Sequence, residues 1–541
     1  MSTTMNDHEG ANMNRNKAGS PTNTVTAENW MEEEVELKDS VMEWIRKEIY
    51  VQEKMSWQGG HDEGTFAYSW FMFYVLSGDC NIAMFLKKLK DDCLKWMSKT
   101  DLMHHGYWKQ MDVHHGTELF NNFLAQYIVF DSDKRIIEAF ENVAHHIGNW
   151  IQDIPEWYDR HKRMFKSEVL GTERIEPLKN RNFPSHFRLA QVLLETYIAT
   201  GKKRYLNLCV DYVDHWTEKS ETTDLIPLYL TSAADESSES RLKTIEEHVA
   251  NNTLNILMDL YLLTGKENYL KVVRKAIPFL LKRISDSNNN ASASIIAKYR
   301  SISRDKSFDD EIVGALKLSD EVYTSALLIF DSEWENKPHP LELIGRRRDE
   351  PIWAFRRING EITEDKWSPP AHLMLASWIK GDENLATLAL WKAKVRFKLA
   401  VINLRLGRQH GCAANTVSSV VAGHGRSFPH GNITSTLFPA VFGGFHFLGW
   451  YKYQIRYYHY NGQLGIPNKT GILFFPAMRE ENKILIHNMR ESSLKLRLEI
   501  LDRTPRRNIV LEHRNLKVIK RSKGHITIEV PPNVTGELKF L

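Results

Sequence analysis

Cysteine is scarce and scattered. Four residues (Cys80, Cys93, Cys209 and Cys412) stand far apart and form no C-x-x-C pair. That usage fits a reducing compartment and argues against zinc-finger-like ligand pairs and disulfide-stapled scaffolds. Long apolar runs are also missing, since no stretch approaches the roughly 20 residues that cross a bilayer. The opening residues, Met1 to Thr26, are polar and rich in Asn, Thr and Ser, and lack the apolar centre of a signal peptide. Residues 1–27 therefore read as a disordered tail, and the expectation is a cytoplasmic chain with no membrane partner. Charge of one sign is not in excess: 71 Lys and Arg face 68 Asp and Glu, a net +3, which gives no footprint for nucleic acid.

What is present is ordinary for a globular protein, at 42% hydrophobic and 26% charged. The 541 residues suffice for one large domain and a smaller one. Fifteen Trp and 19 Tyr are generous numbers that would suit a cleft stacking on sugar rings, although core packing is the commoner use of such residues.

One pattern recurs along the chain: an apolar helix, a tight turn, then an amphipathic helix. The turns read L-S-G-D at Gly78, F-D-S-D at Ser132, A-T-G-K at Gly201, L-T-G-K at Gly265 and I-K-G-D at Gly381. Glycine closes helices because it adopts the left-handed conformation without steric cost. The spacing predicts helices over 64–77, 114–130, 186–200, 247–264 and 369–380 before the turns. It predicts 81–98, 133–151, 203–218, 267–284 and 383–406 after them. A helix near 38–54 opens the series and an apolar segment near 433–448 closes it, making six pairs. Repeated helical pairs of this length build either an open solenoid or a closed toroid. The connections between pairs are long (99–113, 152–185, 219–246, 285–368, 407–432), and long loops on one side of a scaffold are where binding and catalysis collect. The 285–368 stretch is either an elaborate loop or conceals a further hairpin. After about Gly462 the periodicity changes to two, in segments such as K-I-L-I-H-N and H-I-T-I-E-V, which predicts a small antiparallel β domain.

Each helix that precedes a tight turn carries a histidine at or near its start: His61, His114 and His115, His186, His248, His372 and His430. One such histidine is usually a cap or a buried polar residue, but six equivalent positions would converge on one mouth in a closed ring. The richest stretch is Tyr107 to Glu118, Y-W-K-Q-M-D-V-H-H-G-T-E. Asp112 and Glu118 offer the two carboxyls that glycoside cleavage needs, one protonated and one basic or nucleophilic. Polysaccharide β-elimination needs instead a His or Tyr base and a group that neutralises a uronate, and the same stretch could supply either. Other carboxylates on these loops are Asp62, Glu63, Glu173, Glu246 and Glu247, several of which a helix dipole would favour anyway. A second dense loop runs from Arg408 to Asn432 and holds His410, Cys412, Asn415, His424, Arg426, His430 and Asn432. Arg174, Arg188 and Arg426 could pair with a carboxylate. Adjacent His114 and His115 would point about a hundred degrees apart on a helix, so no metal site is expected.

The repeat count, the polar clusters and the terminal β segments together resemble the six-hairpin glycosidase superfamily, whose barrel is shared by toroid polysaccharide lyases. The resemblance covers roughly residues 38 to 450 and rests on architecture, so it implies a fold more directly than an activity. The β-L-arabinofuranosidases of similar architecture carry a cysteine-rich zinc site, which the four scattered cysteines do not match, and no cofactor is expected.

The expected fold is therefore mainly α, an (α/α)6 barrel over 28–455 followed by a small antiparallel, sandwich-like accessory domain over 456–541. The expected activity is that of a glycoside hydrolase on oligosaccharides, uronic-acid-containing ones included. Asp112 and Glu118 would be its acid and base, with His115 and Tyr107 positioning the sugar or relaying a proton. Trp57 and Trp108 would stack on rings and Arg188 would hold an anionic group. His61, Glu63, His114, His186, His248, His372, His410, His424, Arg426, His430 and Asn432 complete the expected binding surface. A lyase with Tyr107 or a histidine as base is the runner-up, and a sugar epimerase the third. A helical scaffold that binds partners without catalysis is the reading from a different class.

Overall fold

The computed structural model describes residues 30–61, 63–64, 67, 70, 79–108, 111–130, 133–147, 157–166, 182–230, 238–287, 290–303, 305–316, 325–329, 352–356, 362–364, 370–380, 382, 384–385, 387–391, 393–394, 455–459, 472–476, 483–488, 492–500, 511–522, 525–532 and 534–540. Helices dominate, and antiparallel strands gather at the C-terminus.

Two helices open the chain, α1 (Trp30–Gln52) and α2 (Cys80–Met97), and they pack on each other. Asp79 caps α2 by accepting the Asn81 N–H at 3.0 Å, as a short acidic side chain does at a helix start. A two-residue-strand hairpin, β1 (Met103–His104) with β2 (Tyr107–Trp108), leads to a helix that is predicted as continuous over 114–130 and is in fact broken. It runs as α3 (Val113–Gly116), a π turn (Leu119–Phe123), a 3-10 turn (Leu124–Gln126) and α4 (Tyr127–Phe130). Every residue from Thr117 to Tyr127 is buried, including Asn121, Asn122 and Gln126. A π turn inside a helix is a recurrent mark of a functional site. α5 (Lys134–His146) follows, then a second small hairpin, β3 (Tyr158–Asp159) with β4 (Met164–Phe165).

The next pairs carry the repeat. α6 (Phe187–Thr200) and α7 (Lys203–Glu221) form one hairpin; α8 (Ser238–Ala250) precedes α9 (Thr253–Thr264) and α10 (Glu267–Ser287), which form another. Their turns are built from the same bonds. Gly201 and Gly265 sit at φ 71° and 73°, and donate to Tyr197 O and Tyr261 O at 2.7 Å. Thr200 and Thr264 each donate the hydroxyl to the carbonyl four residues back, and accept the N–H of Lys202 and Lys266. This is the left-handed helix closure that the A-T-G-K and L-T-G-K motifs predict. The helix expected over 247–264 is split in two, because Asn252 takes a left-handed conformation (φ 63°) between α8 and α9.

The 285–368 stretch contains a further helical pair, α11 (Asn290–Ser303) and α12 (Asp309–Ala315), and then a three-stranded sheet of β5 (Ser325–Ile329), β6 (Ile352–Arg356) and β7 (Ile362–Glu364). Ser303 reproduces the threonine's two bonds, donating to Tyr299 O and accepting from Asp305 N. α13 (Pro370–Lys380) comes next. The broken helix, α6, α9, α11 and α13 each touch the next, so the apolar helices form a row, while α5, α7, α10 and α12 pack beside them. All fourteen residues of α6 are buried, whereas α7 buries one stripe (Tyr205, Cys209, Tyr212, Val213, Trp216), as inner and outer layers require.

The C-terminal strands form two four-stranded antiparallel sheets. One has β9 (Ile472–Pro476), β10 (Lys483–Asn488), β15 (Thr535–Phe540) and β12 (Leu511–Arg514) in that order. The other has β8 (Ile455–His459), β11 (Leu494–Ile500), β14 (His525–Val530) and β13 (Lys517–Ser522). β10 lies against β14 and β12 against β13, burying Ile486, Leu538, Leu496, Leu498, Ile526 and Ile528. No described helix is long and apolar enough to cross a membrane.

Candidate functional site

The stretch from Tyr107 to Glu118 is set in place by its own ends. His105 (φ 50°) and Gly106 (φ 85°) are both left-handed, the geometry of a two-residue hairpin turn. A Cβ on Gly106 would sit 3.0 Å from Phe120, so the turn lies tight on the broken helix. Tyr107 then donates its hydroxyl to Val143 O at 2.7 Å, and Trp108 packs tilted against Trp96 with ring centroids 5.4 Å apart. Both side chains are buried. These two aromatics are corrected from ligand contacts to core anchors, because their faces and the tyrosine hydroxyl are turned inward.

Asp112 caps α3, accepting the His115 N–H at 3.1 Å through Oδ1. Its Oδ2 lies 2.6 Å from His115 Nδ1. Burial would raise the Asp112 pKa, but the side-chain and backbone bonds from His115 outweigh it and hold the carboxyl below its ordinary value. Two residues beyond α3, Glu118 is completely buried, at 0% exposure. Its Oε2 lies 2.6 Å from His61 Nδ1 and its Oε1 3.2 Å from His114 Nε2. Burial again pushes upward; the bonds from His114 and His61, with the Arg188 charge, overcome it and keep Glu118 well below the carboxylate range.

His61 arrives on a loop that a different carboxylate shapes. Glu63 accepts the backbone N–H groups of Gln58, Gly59 and Gly60, so it is engaged by its own loop and is corrected from a substrate contact to a loop organiser. Gly59 (φ 90°) and Gly64 (φ 85°) leave no room for a Cβ, which would meet Trp96 at 2.6 Å and Phe123 at 2.8 Å. Trp57, half-buried, leans on Phe123 with ring centroids 5.3 Å apart. The His61 ring meets His115 edge-on at 5.2 Å, and His115 meets His114 at 5.1 Å. The His61 and His115 side chains are 34% and 44% exposed, so the two outer imidazoles reach solvent while Glu118 does not.

Arg188 closes the cluster from below. Its guanidinium is buried, donating to Thr117 Oγ1 at 3.2 Å and Asn122 Oδ1 at 3.3 Å. Burial lowers its pKa against the pull of Glu118 and Glu195. It is thus a counter-charge for Glu118 and not a handle for an external anion, which corrects the sequence expectation. Glu195, also buried, has its pKa pushed well up by desolvation, against the pull of the Gln191 bond and the Arg188 charge.

The remaining histidines of the set do not join. His186 is buried between Phe165 and Phe183, with Nδ1 against the Phe183 backbone. His248 is buried, bonded to Thr253 Oγ1 and Pro227 O, and burial pushes its pKa down to about 4. His372 is buried on α13. Glu246 pairs with Arg283 at 3.1 Å, on the outer side of α8. His410, Cys412, Asn415, His424, Arg426, His430 and Asn432, together with Asp62, Glu173 and Arg174, lie outside the described residues.

Sequence reasoning missed Asn251 and Asn122. Asn251 Oδ1 lies 3.3 Å from His114 Nδ1, and Asn122 receives Arg188. The signal is the doubled asparagine, F-N-N-F at 120–123 and A-N-N-T at 250–253, buried at the start of two neighbouring inner helices. Among the described residues no group of three or more His, Cys, Asp or Glu is arranged to hold a metal. What the site offers is two imidazole–carboxylate pairs side by side, the arrangement that fixes a ring's tautomer and stabilises its protonated form. No protein-family model matches the chain, and no characterised protein matches it in sequence.

Proposed function

We propose that the chain is a carbohydrate-active enzyme that transfers protons through His61 and His115, acting by β-elimination on a uronate-containing glycan. The observation that carries this reading is the state of the two carboxyls: Asp112 and Glu118 are each bonded to an imidazole at 2.6 Å and each held ionised. Hydrolysis by a carboxyl pair needs one member raised and protonated as the acid, which neither is. The imidazoles, by contrast, are half-buried, reach solvent and are backed by carboxylates. In the proposed step one ring, His115 through Nε2, removes the proton α to the uronate carboxyl. The electron pair forms the C4=C5 double bond, the C4–O bond breaks, and the departing oxygen takes a proton from the neighbouring imidazole. General acid–base assistance of this kind contributes about 10²–10⁴-fold per group.

A closed helical ring is the architecture that fits the reading. Lys394 Nζ lies 2.8 Å from Glu36 Oε2, tying the helical residues that follow α13 to α1 across 358 positions of sequence. The test is incubation with a panel of uronic and neutral oligosaccharides. Elimination predicts absorbance from an unsaturated uronide, lost at least 10²-fold in His115→Ala. New reducing ends without that absorbance would select hydrolysis, and neither product from any glycan would overturn the catalytic reading.

A further inference from the structure

The charges of the chain are unevenly placed. Residues 456–541 hold 16 Lys and Arg against 8 Asp and Glu, whereas residues 1–455 hold 55 against 60. The near-neutral whole thus conceals a basic β region after an acidic remainder, and an asymmetry of that kind points to an anionic partner.

Part of this charge is ordered on one face of a sheet. In the sheet of β8, β11, β14 and β13, Leu496, Leu498, Ile526 and Ile528 turn inward and are buried. Alternation sends their neighbours outward. Lys495 and Arg497 on β11 are exposed and stand opposite Glu529 and Thr527 of β14. On the far side of β14, exposed Lys517 and Lys520 of β13 pair with the same two residues. Strict alternation from Lys517 would give the second place to Ile519. A register shift between Val518 and Lys520 moves the strand on by one residue and puts Lys520 opposite Thr527 instead. Four cations therefore share the outer face, spaced about 7 Å along a strand and about 10 Å across β14. Although Glu529 lies between them, Lys495 and Lys517 form no ion pair with it or with any other described residue, and neither does Lys520. Lysines and a bulge on an edge strand also discourage edge-to-edge pairing of separate molecules, which accounts for β13. That does not account for β11, which lies between β14 and β8 and has no open edge, yet carries Lys495 and Arg497.

We propose that this face is a docking surface for an anionic polysaccharide, a uronate-bearing glycan held by charge. The proposal rests on the uronate reading for the identity of the anion, but not on any chemistry at His61 or His115. β11, β13 and β14 contain no Phe, Tyr or Trp. These strands therefore offer no platform on which a neutral sugar or the bases of a single-stranded nucleic acid would stack. What they offer is a flat array of ammonium and guanidinium groups, matched to carboxylates that repeat along an extended chain.

The test uses the full-length protein bearing His115→Ala, so that a bound polymer is not consumed. Its retardation is measured on gels containing polygalacturonate, hyaluronan or neutral dextran. Retention by the two uronate polymers and not by dextran is expected, and it should weaken as salt rises. Lys495→Gln, Lys517→Gln and Lys520→Gln together should lower the affinity about tenfold. The same three positions changed to arginine should keep it. Lys95→Gln, Lys203→Gln and Lys271→Gln together remove the same charge from exposed helical positions and should weaken binding far less. No retention by either uronate polymer, an unchanged affinity in the sheet glutamine variant, or an equal loss in the helical one would overturn the proposal. So would tighter binding of this face to a DNA duplex or to phosphatidylserine vesicles. Failure to cleave any glycan would overturn the catalytic reading and leave this one standing, because retention is read without turnover.

Discussion

At the scale of single residues, the site depends on groups that never meet a ligand. Glu63 gathers three backbone N–H groups of the 58–60 turn and so sets the direction of His61. Glu63→Ala leaves those donors without their acceptor, and a cost of about 1–3 kcal/mol is expected in urea unfolding, with turnover falling further than stability alone explains. Tyr107→Phe makes the contrasting case. It removes one buried bond to Val143 O, so it should cost about 1 kcal/mol in stability and leave turnover on a uronate glycan unchanged. A hundredfold loss of turnover in a folded Tyr107→Phe would return the tyrosine to the chemistry. The sequence made Asp112, His114, His115 and Glu118 legible because they crowd one short stretch at a helix start. It did not make their division of labour legible. Whether a tyrosine beside them faces a ligand or a core is decided by a carbonyl 36 positions away, and no local pattern records that.

At the scale of elements, the turns were the most readable feature. A-T-G-K and L-T-G-K predict their bonds because threonine caps, glycine turns left-handed and lysine begins the next helix. The sequence leaves the α11–α12 pair open between a loop and a hairpin, because Ser303 makes the threonine's bonds in a segment without the glycine signal. Gly265→Ala should lose about 1 kcal/mol, read from the denaturation midpoint, since alanine resists φ 73°. The junction of α7, α8 and α9 makes a pH-dependent contribution through His248, buried against Trp216 and held neutral with a pKa of about 4. The unfolded value is about 6.5, so the unfolded chain takes up the proton first. The stability from a neutral His248 is complete above pH 6.5 and is lost as pH falls toward 4, by about 3 kcal/mol in total. Urea midpoints measured from pH 7 to 4.5 should fall accordingly, and His248→Gln, weaker at pH 7, should give a flatter profile.

For the whole molecule, the decisive question is whether the row of inner helices returns to its start. The broken helix, α6, α9, α11 and α13 follow one another as neighbours, which an open solenoid would also display. The Lys394–Glu36 pair is what distinguishes a ring, but the Glu36 side chain is 59% exposed, and such a pair contributes at most about 1 kcal/mol. Its weight is geometric and not energetic. The energetic test belongs to the core under α1, where Ile45 is fully buried. Ile45→Ala should cost about 2–5 kcal/mol by opening a cavity. In a repeat array that cost stays with the neighbouring repeats, so an open row would lose amide protection in α1 and α2 and keep it in α13. A closed ring makes α1 a neighbour of the segment after α13, and hydrogen exchange in α13 should then accelerate together with that in α2. Protection retained in α13 while α2 exchanges freely would rule out closure, and with it the shared mouth at which histidines from both ends of the chain were expected to meet.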